Sequence, residues 1–240
     1  MMASTKARAF AVAALLPLAL AGCFEITTDA AFNDSGGVTA KVEFAVTQEL
    51  AAMMSDPQFN KETQGGGSLF KDCAKPVEAK DLPEGVRSMQ GVTGQRDGMQ
   101  TCTVTAEIPD PIAALAKSKE KGATKGGDFT LEPITDGYRV RGMVDIGAVM
   151  GGAGGDAGKQ LQGLGMMAGA MFGGRNLTLS LVGARIENAN GQVSADQTRV
   201  TWKWPIAAIF AGGTGAPLKI EADVIYRESL FSKWKRRIFG

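Results

Sequence analysis

The sequence contains no histidine, and this absence removes several kinds of chemistry at once. Histidine is the commonest general base, a member of the usual serine-hydrolase triad and the usual protein ligand of zinc. Acidic residues are spread thinly along the chain, with no close pair that we would assign to acid–base catalysis. We therefore predict no catalytic residues, no metal site and no cofactor, and we do not expect an enzyme.

An excess of one charge is also lacking, because 26 Lys and Arg residues face 25 Asp and Glu residues, a net charge of +1. Basic residues cluster only in the last few positions, so the composition does not indicate a nucleic-acid partner. An uninterrupted apolar run of about 20 residues, the length that spans a bilayer, is missing too. The first long apolar run, residues 9–20, is shorter and contains Pro17.

That N-terminal run is typical of a signal peptide, since Lys6 and Arg8 precede it. It ends in Leu20-Ala21-Gly22-Cys23, the order of a bacterial lipobox, in which the cysteine becomes diacylated. We predict cleavage after residue 22 and attachment to the membrane through a diacylglycerol on Cys23, on the extracytoplasmic face. Residues 23–222 would then form an extracytoplasmic domain and residues 223–240 a basic tail. The alternative is an ordinary secretory signal with an incidental cysteine.

Cysteine is scarce, and its use agrees with export. Lipidation of Cys23 leaves Cys73 and Cys102, an even pair in an oxidising compartment, which favours a disulfide. The alternative is two buried free thiols.

Alternating apolar residues predict strands, and turn residues between them predict hairpins. Residues 24–32 and 38–46 flank a turn, while Asp97-Gly98 and Asp136-Gly137 each mark a further hairpin. Capped helices are predicted after Thr47 and after Asp110. The remaining predicted strands are residues 176–187, 198–206 and 218–226. This order predicts an α+β domain, in which a curved antiparallel sheet of successive hairpins and a few packed helices form a cup for a lipid.

Glycine is abundant, with 32 residues, and residues 151–174 are rich in it. A phosphate-binding loop needs a hydroxyl where this stretch has Gln160, so we exclude a nucleotide site. The uncharged part is too short for a membrane span. An amphipathic helix remains, and methionine suits irregular acyl chains. We predict that the lipid-binding side chains are Leu161, Leu164, Met166, Met167, Met171 and Phe172. The alternative is a helix packed tightly on the sheet.

The C-terminal residues 226–240 have a basic amphipathic pattern that suits an anionic membrane surface. The residues predicted to contact it are Phe231, Lys233, Trp234, Lys235, Arg236 and Arg237. The alternative is a terminal helix whose apolar side covers the domain.

Three features together resemble the LppM family of actinobacterial envelope lipoproteins. They are the lipobox, the stretch "GCFEITTDAAFNDSGGVTAKVEFAV" with its Gly36-Gly37 turn, and "TRVTWKWPI" with Trp202 and Trp204. The resemblance implies an α+β envelope domain whose curved sheet and helices bind lipids or glycolipids. Members commonly carry a C-terminal transmembrane helix, whereas this sequence has a basic tail there.

The sequence thus predicts a non-enzymatic lipoprotein of the bacterial envelope that binds a lipid or glycolipid in an apolar pocket. The competing hypothesis is a structural or protein-interaction module with a filled core and no small-molecule ligand. No particular protein partner is predicted.

Overall fold

The structure, a computed structural model, describes residues 24–54, 72–120, 127–144, 174–206 and 218–227. Within these ranges the chain forms strands, two α-helices and one short 3₁₀ turn at Ala79–Asp81. The helices are α1 (Gln48–Met54) and α2 (Pro111–Glu120). The strands are β1 (Phe24–Phe32), β2 (Val38–Thr47), β3 (Ser88–Arg96), β4 (Met99–Ile108), β5 (Gly127–Ile134), β6 (Gly137–Val144), β7 (Asn176–Val182), β8 (Arg185–Glu187), β9 (Gln192–Val193), β10 (Arg199–Pro205) and β11 (Leu218–Ile225).

These strands form two sheets, and the predicted α+β class is confirmed. The large sheet has the order β3-β4-β2-β1-β7-β10-β9, and the small sheet has the order β5-β6-β11-β8. Neighbouring strands are antiparallel apart from β1 and β7, which run parallel. The prediction of one antiparallel sheet therefore needs correction in its topology. The reason is that β1 pairs with a strand far along the chain, and local alternation carries no information about such a pairing.

The predicted hairpins are present, and their turns show why they form. In the β1–β2 turn the Asn33 side-chain oxygen accepts hydrogen bonds from the backbone amides of Ser35 and Gly37, at 3.0 and 3.1 Å. In the β3–β4 turn both Asp97 and Gly98 have positive φ, 51° and 76°. Such turns match the twist of the flanking strands, which is why the Asp-Gly pair predicted this hairpin.

Both helices begin at the residues that the sequence predicted as caps. The Thr47 hydroxyl accepts from the amide of Leu50 at 3.4 Å, and the Asp110 carboxylate accepts from the amide of Ala113 at 3.0 Å. Each bond gives a partner to an amide that the helix itself leaves unpaired.

The predicted continuous strand 176–187 is wrong, because the chain changes sheets within it. β7 belongs to the large sheet, whereas β8 pairs with β11 of the small sheet. The change occurs near Gly183, where an added Cβ would lie 2.8 Å from the carbonyl oxygen of Ile225. A glycine allows this close approach of two backbones, but an alternating pattern reads the same on either side of the crossing.

The hydrophobic core lies between the two sheets. Its buried members are Val140, Leu181, Ile186, Val200, Trp202, Ile220, Ala222 and Val224. Asn190 joins the sheets at the edge of this core, because its side-chain oxygen accepts from the indole N–H of Trp202 at 2.8 Å and from the amide of Glu221 at 2.9 Å. The polar end of Trp202 thus has a partner while its ring is buried.

The predicted disulfide between Cys73 and Cys102 is present. Both cysteines are buried, and the bond ties the segment 72–82 to β4. Beside it, a Cβ added to Gly91 of β3 would lie only 1.6 Å from the carbonyl oxygen of Cys73. The segment can therefore lie directly on β3 only because residue 91 has no side chain.

Candidate functional site

Most of the predicted site residues lie outside the described part of the chain. This holds for Cys23, for the predicted lipid-binding residues between 161 and 172, and for the predicted membrane-surface residues between 231 and 237. They stay predictions. Of the predicted positions, the described residues include only the two cysteines of the disulfide.

The two faces of the large sheet differ in chemistry, and β1 shows the rule. Phe24, Ile26 and Ala30 point to one face, whereas Glu25 and Asp29 point to the other, since side chains alternate along a strand. Cross-strand partners share a face, so the register carries this division over the whole sheet. One face is mainly apolar and the other is rich in threonine and charged residues.

Part of the apolar face is covered by the small sheet. Ala30 and Phe32, from the second half of β1, pack against the core, as do Leu179 of β7 and Trp204 of β10. Leu181 in the same region is only 5% exposed. This part of the face contributes to the hydrophobic core described above.

A second part of the apolar face lies outside the core cluster, and we call it the apolar strip. It comprises five half-buried side chains on four adjacent strands, namely Ile26, Val42, Phe44, Val104 and Leu177. The register makes them neighbours, because Ile26 pairs with both Phe44 and Leu177, and Val42 pairs with Val104. Five large or branched apolar side chains therefore form one continuous surface that the described core does not seal.

A groove adjoins the strip at β3. It lies between residues 74–82 and residues 87–91, and its volume is about 500 Å³. Gly91 belongs to its lining and pairs with Val104, so the groove and the strip are continuous. Several apolar side chains line it, among them Pro76, Val77 and Met89.

The charged lining of this groove is basic. Among the described residues that line it, Lys75 and Arg87 are the only charged ones, and none is acidic. Lys75 also forms an exposed ion pair with Asp72. In ligand sites, apolar contacts supply most of the affinity and a few charged groups fix the orientation of the ligand. An apolar surface beside two cationic side chains therefore suits an amphiphile with an anionic head group.

The polar face carries an ion-pair network instead of a comparable apolar surface. Arg96 donates to Glu25 and to Glu43, both at 3.1 Å, and the hydroxyl of Thr103 donates to Glu43 at 3.2 Å. The hydrogen bond with Glu25 raises the pKa of the Arg96 guanidinium above its usual value. Arg96 therefore stays charged, and the face remains hydrated and salt-bridged.

Two further kinds of site are not seen in the described ranges. No group of three or more His, Cys, Asp or Glu residues there is arranged to hold a metal ion. No helix of the described residues is long and apolar enough to cross a membrane.

Sequence reasoning missed the apolar strip. The alternation in residues 24–32 and 38–46 was visible, but the partners of those strands were not. Only the pairing of β1 with β7 and of β2 with β4 brings Leu177 and Val104 beside Ile26, Val42 and Phe44.

Comparison with known proteins gives one kind of match. No protein-family model and no curated protein matches the chain. Among solved structures, the chain is similar to the NMR structure of the folded domain of Mycobacterium tuberculosis LppM. The TM-score is 0.45 at 12% sequence identity, over 88% of this chain and 94% of that one. The LppM folded domain is a structural neighbour of this chain.

Proposed function

We propose that this protein is a membrane-anchored lipoprotein of the bacterial envelope, without enzymatic activity, that binds a lipid or glycolipid on the apolar strip. The observation that carries this proposal is the strip itself, a continuous apolar surface outside the hydrophobic core. Covering such a surface with an acyl chain is favourable by about 0.8 kcal/mol for each methylene group buried.

The groove beside the strip supports an amphiphilic ligand rather than a purely apolar one. Lys75 and Arg87 lie next to the apolar lining, and the described lining residues include no acidic side chain, although Asp72 outside the lining pairs with Lys75. A phosphate or other anionic head group in the groove would place its acyl chains toward Val104 and Val42. The proposed ligand is therefore a lipid whose head carries negative charge.

The proposed location rests on the N-terminal sequence and on the disulfide. Residues 1–22 have the pattern of a lipoprotein signal peptide, and Cys23 is the last residue of the lipobox. A structural disulfide agrees with an oxidising compartment outside the cytoplasm. A lipid-anchored protein at the membrane surface is in direct reach of lipid ligands.

Native mass spectrometry tests the lipid-binding proposal with a matched pair of variants. Val104 lies in the strip, whereas Val92, on the adjacent strand, is 62% exposed and on the opposite face. Both are changed to Asp in the mature chain carrying Cys23→Ser, which removes the acyl anchor. We expect the parent and Val92→Asp to carry added phosphatidylinositol or phosphatidylglycerol, and Val104→Asp to bind at least tenfold less.

Two controls make this result interpretable. Thermal unfolding checks that both variants fold, and the intact mass checks that the disulfide has formed. A parent protein that shows only the apo mass, and no shift after lipid is added, would falsify the proposal.

The alternative is a protein-interaction module, and one observation favours it. β3 is an edge strand of the large sheet, paired on one side with β4 among the described residues, and it exposes Val92. Edge strands can pair with an extended segment of another protein. An apo mass for the parent, together with a cross-link from a reactive group at position 92 to a single envelope protein, would support this second function instead.

A further inference from the structure

The predicted acyl anchor and the large sheet are directly joined. β1 begins at Phe24, the residue immediately after Cys23, and Phe24 already pairs with Val46 of β2. Consecutive Cα atoms are about 3.8 Å apart, so no flexible spacer separates a lipid on Cys23 from the sheet. The position of the sheet relative to the bilayer is therefore restricted by the chain itself.

Several strands end at the same edge of the sheet as Phe24, and we call this the anchor edge. Val46 at the end of β2 and Met99 at the start of β4 lie there but are buried, whereas Arg96 at the end of β3 is exposed. β7 also starts there, since Leu177 pairs with Ile26. The helix α1 follows directly after Thr47, and its Ala52 is exposed.

The opposite edge of the sheet holds the end of the described chain. Eight residue steps separate Phe24 from Phe32, which corresponds to about 26 Å along β1. In the following turn, the carbonyl oxygen of Asp34 accepts hydrogen bonds from Arg227 Nη2 at 3.0 Å and Nε at 3.3 Å. The chain after Arg227 therefore starts at the edge away from Cys23.

Two flat orientations on the bilayer are unfavourable. On the apolar face the small sheet and the segment 72–82 lie on either side of the strip, so they would meet a planar membrane before Val42 did. On the polar face, charged groups such as Arg96, Glu25 and Glu43 would lose water on contact with the acyl region, which costs free energy. An upright orientation avoids the first cost and keeps charged groups farther along the strands, such as Asp29 and Arg199, in water, while Arg96 at the anchor edge meets the lipid head groups.

We propose that the anchor edge is a membrane-docking surface, on which the domain stands upright on a phospholipid bilayer. This inference rests on the proposed lipidation of Cys23. Ile26 and Leu177 of the strip lie within two residues of the anchor edge, so a lipid passes between bilayer and strip with little exposure to water. The turn around Asp34 and the start of the basic tail lie about 26 Å further out.

Quenching of fluorescent labels by nitroxide-headgroup lipids tests this orientation. The lipidated mature protein is reconstituted in phosphatidylethanolamine–phosphatidylglycerol vesicles with a bimane label on one introduced cysteine. The variants are Ala52→Cys at the anchor edge, Asp34→Cys at the opposite edge and Lys41→Cys on the polar face; all three positions are exposed. The native pair, Cys73 and Cys102, is disulfide-bonded and does not react.

We expect the fraction of fluorescence quenched at position 52 to exceed that at positions 34 and 41 by at least twofold. Equal quenching at positions 52 and 34, or stronger quenching at 34 or 41, overturns the upright orientation. The absence of a diacylglycerol mass on Cys23 overturns it as well. Unlipidated Cys23→Ser protein with the same labels is the control, and it should leave the vesicles on flotation.

The lipid-binding proposal has a separate outcome. Val104→Asp should lose lipid in the native mass spectrum while retaining the quenching pattern of the labels. Loss of the quenching pattern with retained lipid binding overturns the docking surface alone, whereas an apo parent with the expected quenching overturns lipid binding alone.

Discussion

Two leucines on one strand show how differently the two parts of the apolar face behave. Leu181 and Leu177 lie four residues apart on β7 and point to the same face. Leu181 is 5% exposed and belongs to the core between the sheets, whereas Leu177 is half-buried and lies in the apolar strip. Leucine thus contributes to the hydrophobic core at position 181 and remains partly accessible to solvent at position 177.

This difference separates stability from binding within one sheet. In the covered part, burial against the small sheet already removes the side chains from water, so a ligand would gain little there. In the strip, the remaining exposed apolar area is a source of binding free energy. We therefore expect substitutions in the covered part to change mainly the free energy of unfolding, and substitutions in the strip to change mainly lipid affinity.

The largest effect is expected from truncating Leu181. Leu181→Ala should lower the free energy of unfolding by about 2–5 kcal/mol, because it removes buried methyl groups and leaves a cavity. Leu177→Ala should lower it by about 1–2 kcal/mol, since less area is lost from the folded state. Urea denaturation measures both values, and equal losses for the two variants would contradict the distinction between core and strip.

Loss of the disulfide should be the next largest effect. Cys73 and Cys102 are 29 residues apart, so the chain-entropy model assigns the bond about 3.6 kcal/mol. The double variant Cys73→Ser/Cys102→Ser should unfold at correspondingly lower urea concentration and should also bind lipid less well, because the segment beside the strip is released. Unchanged lipid affinity in the folded variant would show that this segment does not form part of the site.

A methyl group added at position 91 should displace the segment 72–82 as well, through steric overlap and not through loss of the disulfide. Gly91→Ala places a Cβ against the carbonyl oxygen of Cys73, which forces the backbone to shift and costs about 1–3 kcal/mol. Gly94→Ala is the matched control on β3, since its Cβ would lie 3.1 Å from a side-chain atom, the hydroxyl oxygen of Thr101, and not against the backbone. The urea concentration at the unfolding midpoint should fall for Gly91→Ala and should change little for Gly94→Ala.

An effect on stability that depends on pH is expected in the small sheet. Asp223 is 3% exposed and accepts hydrogen bonds from Arg139 Nε and Nη2 at 2.7 and 2.8 Å and from Asn188 at 2.7 Å. The bonds from Arg139 hold the pKa of the Asp223 carboxyl below its usual range. The stability that this group contributes is therefore complete above the usual pKa of about 4 and is lost as the pH falls through the lower native pKa.

Asp223→Asn tests that dependence. Its unfolding free energy should lie below that of the parent at pH 7, and the difference should shrink as the solution is acidified. Unfolding measured from pH 7 to pH 2 checks this, and a constant difference over that range would exclude the carboxylate as its cause. Lipid affinity at pH 7 should be unchanged, because Asp223 lies in the small sheet, away from the apolar strip.

Local signals predicted much of the fold correctly. Asp97-Gly98 predicted a hairpin because few residues other than Gly, Asn and Asp accept positive φ, and Asp110 predicted a helix start because its carboxylate can bind a free amide. The disulfide was predicted because an even pair of cysteines remains after lipidation of Cys23 and because the compartment outside the cytoplasm is oxidising. The prediction of one continuous strand over 176–187 failed at Gly183, because neither the alternating pattern nor the composition shows which sheet a strand joins.

The sequence by itself determined the strands, the caps, the turns and the disulfide, since each depends on residues that are close along the chain or few in number. It also supplied the proposals for export and for the lipid anchor, through the lipobox at Cys23. Only the tertiary structure decided which apolar residues became core and which became strip. That division arises because the small sheet packs over the far half of β1 and β7 and leaves Ile26 and Leu177 outside the core.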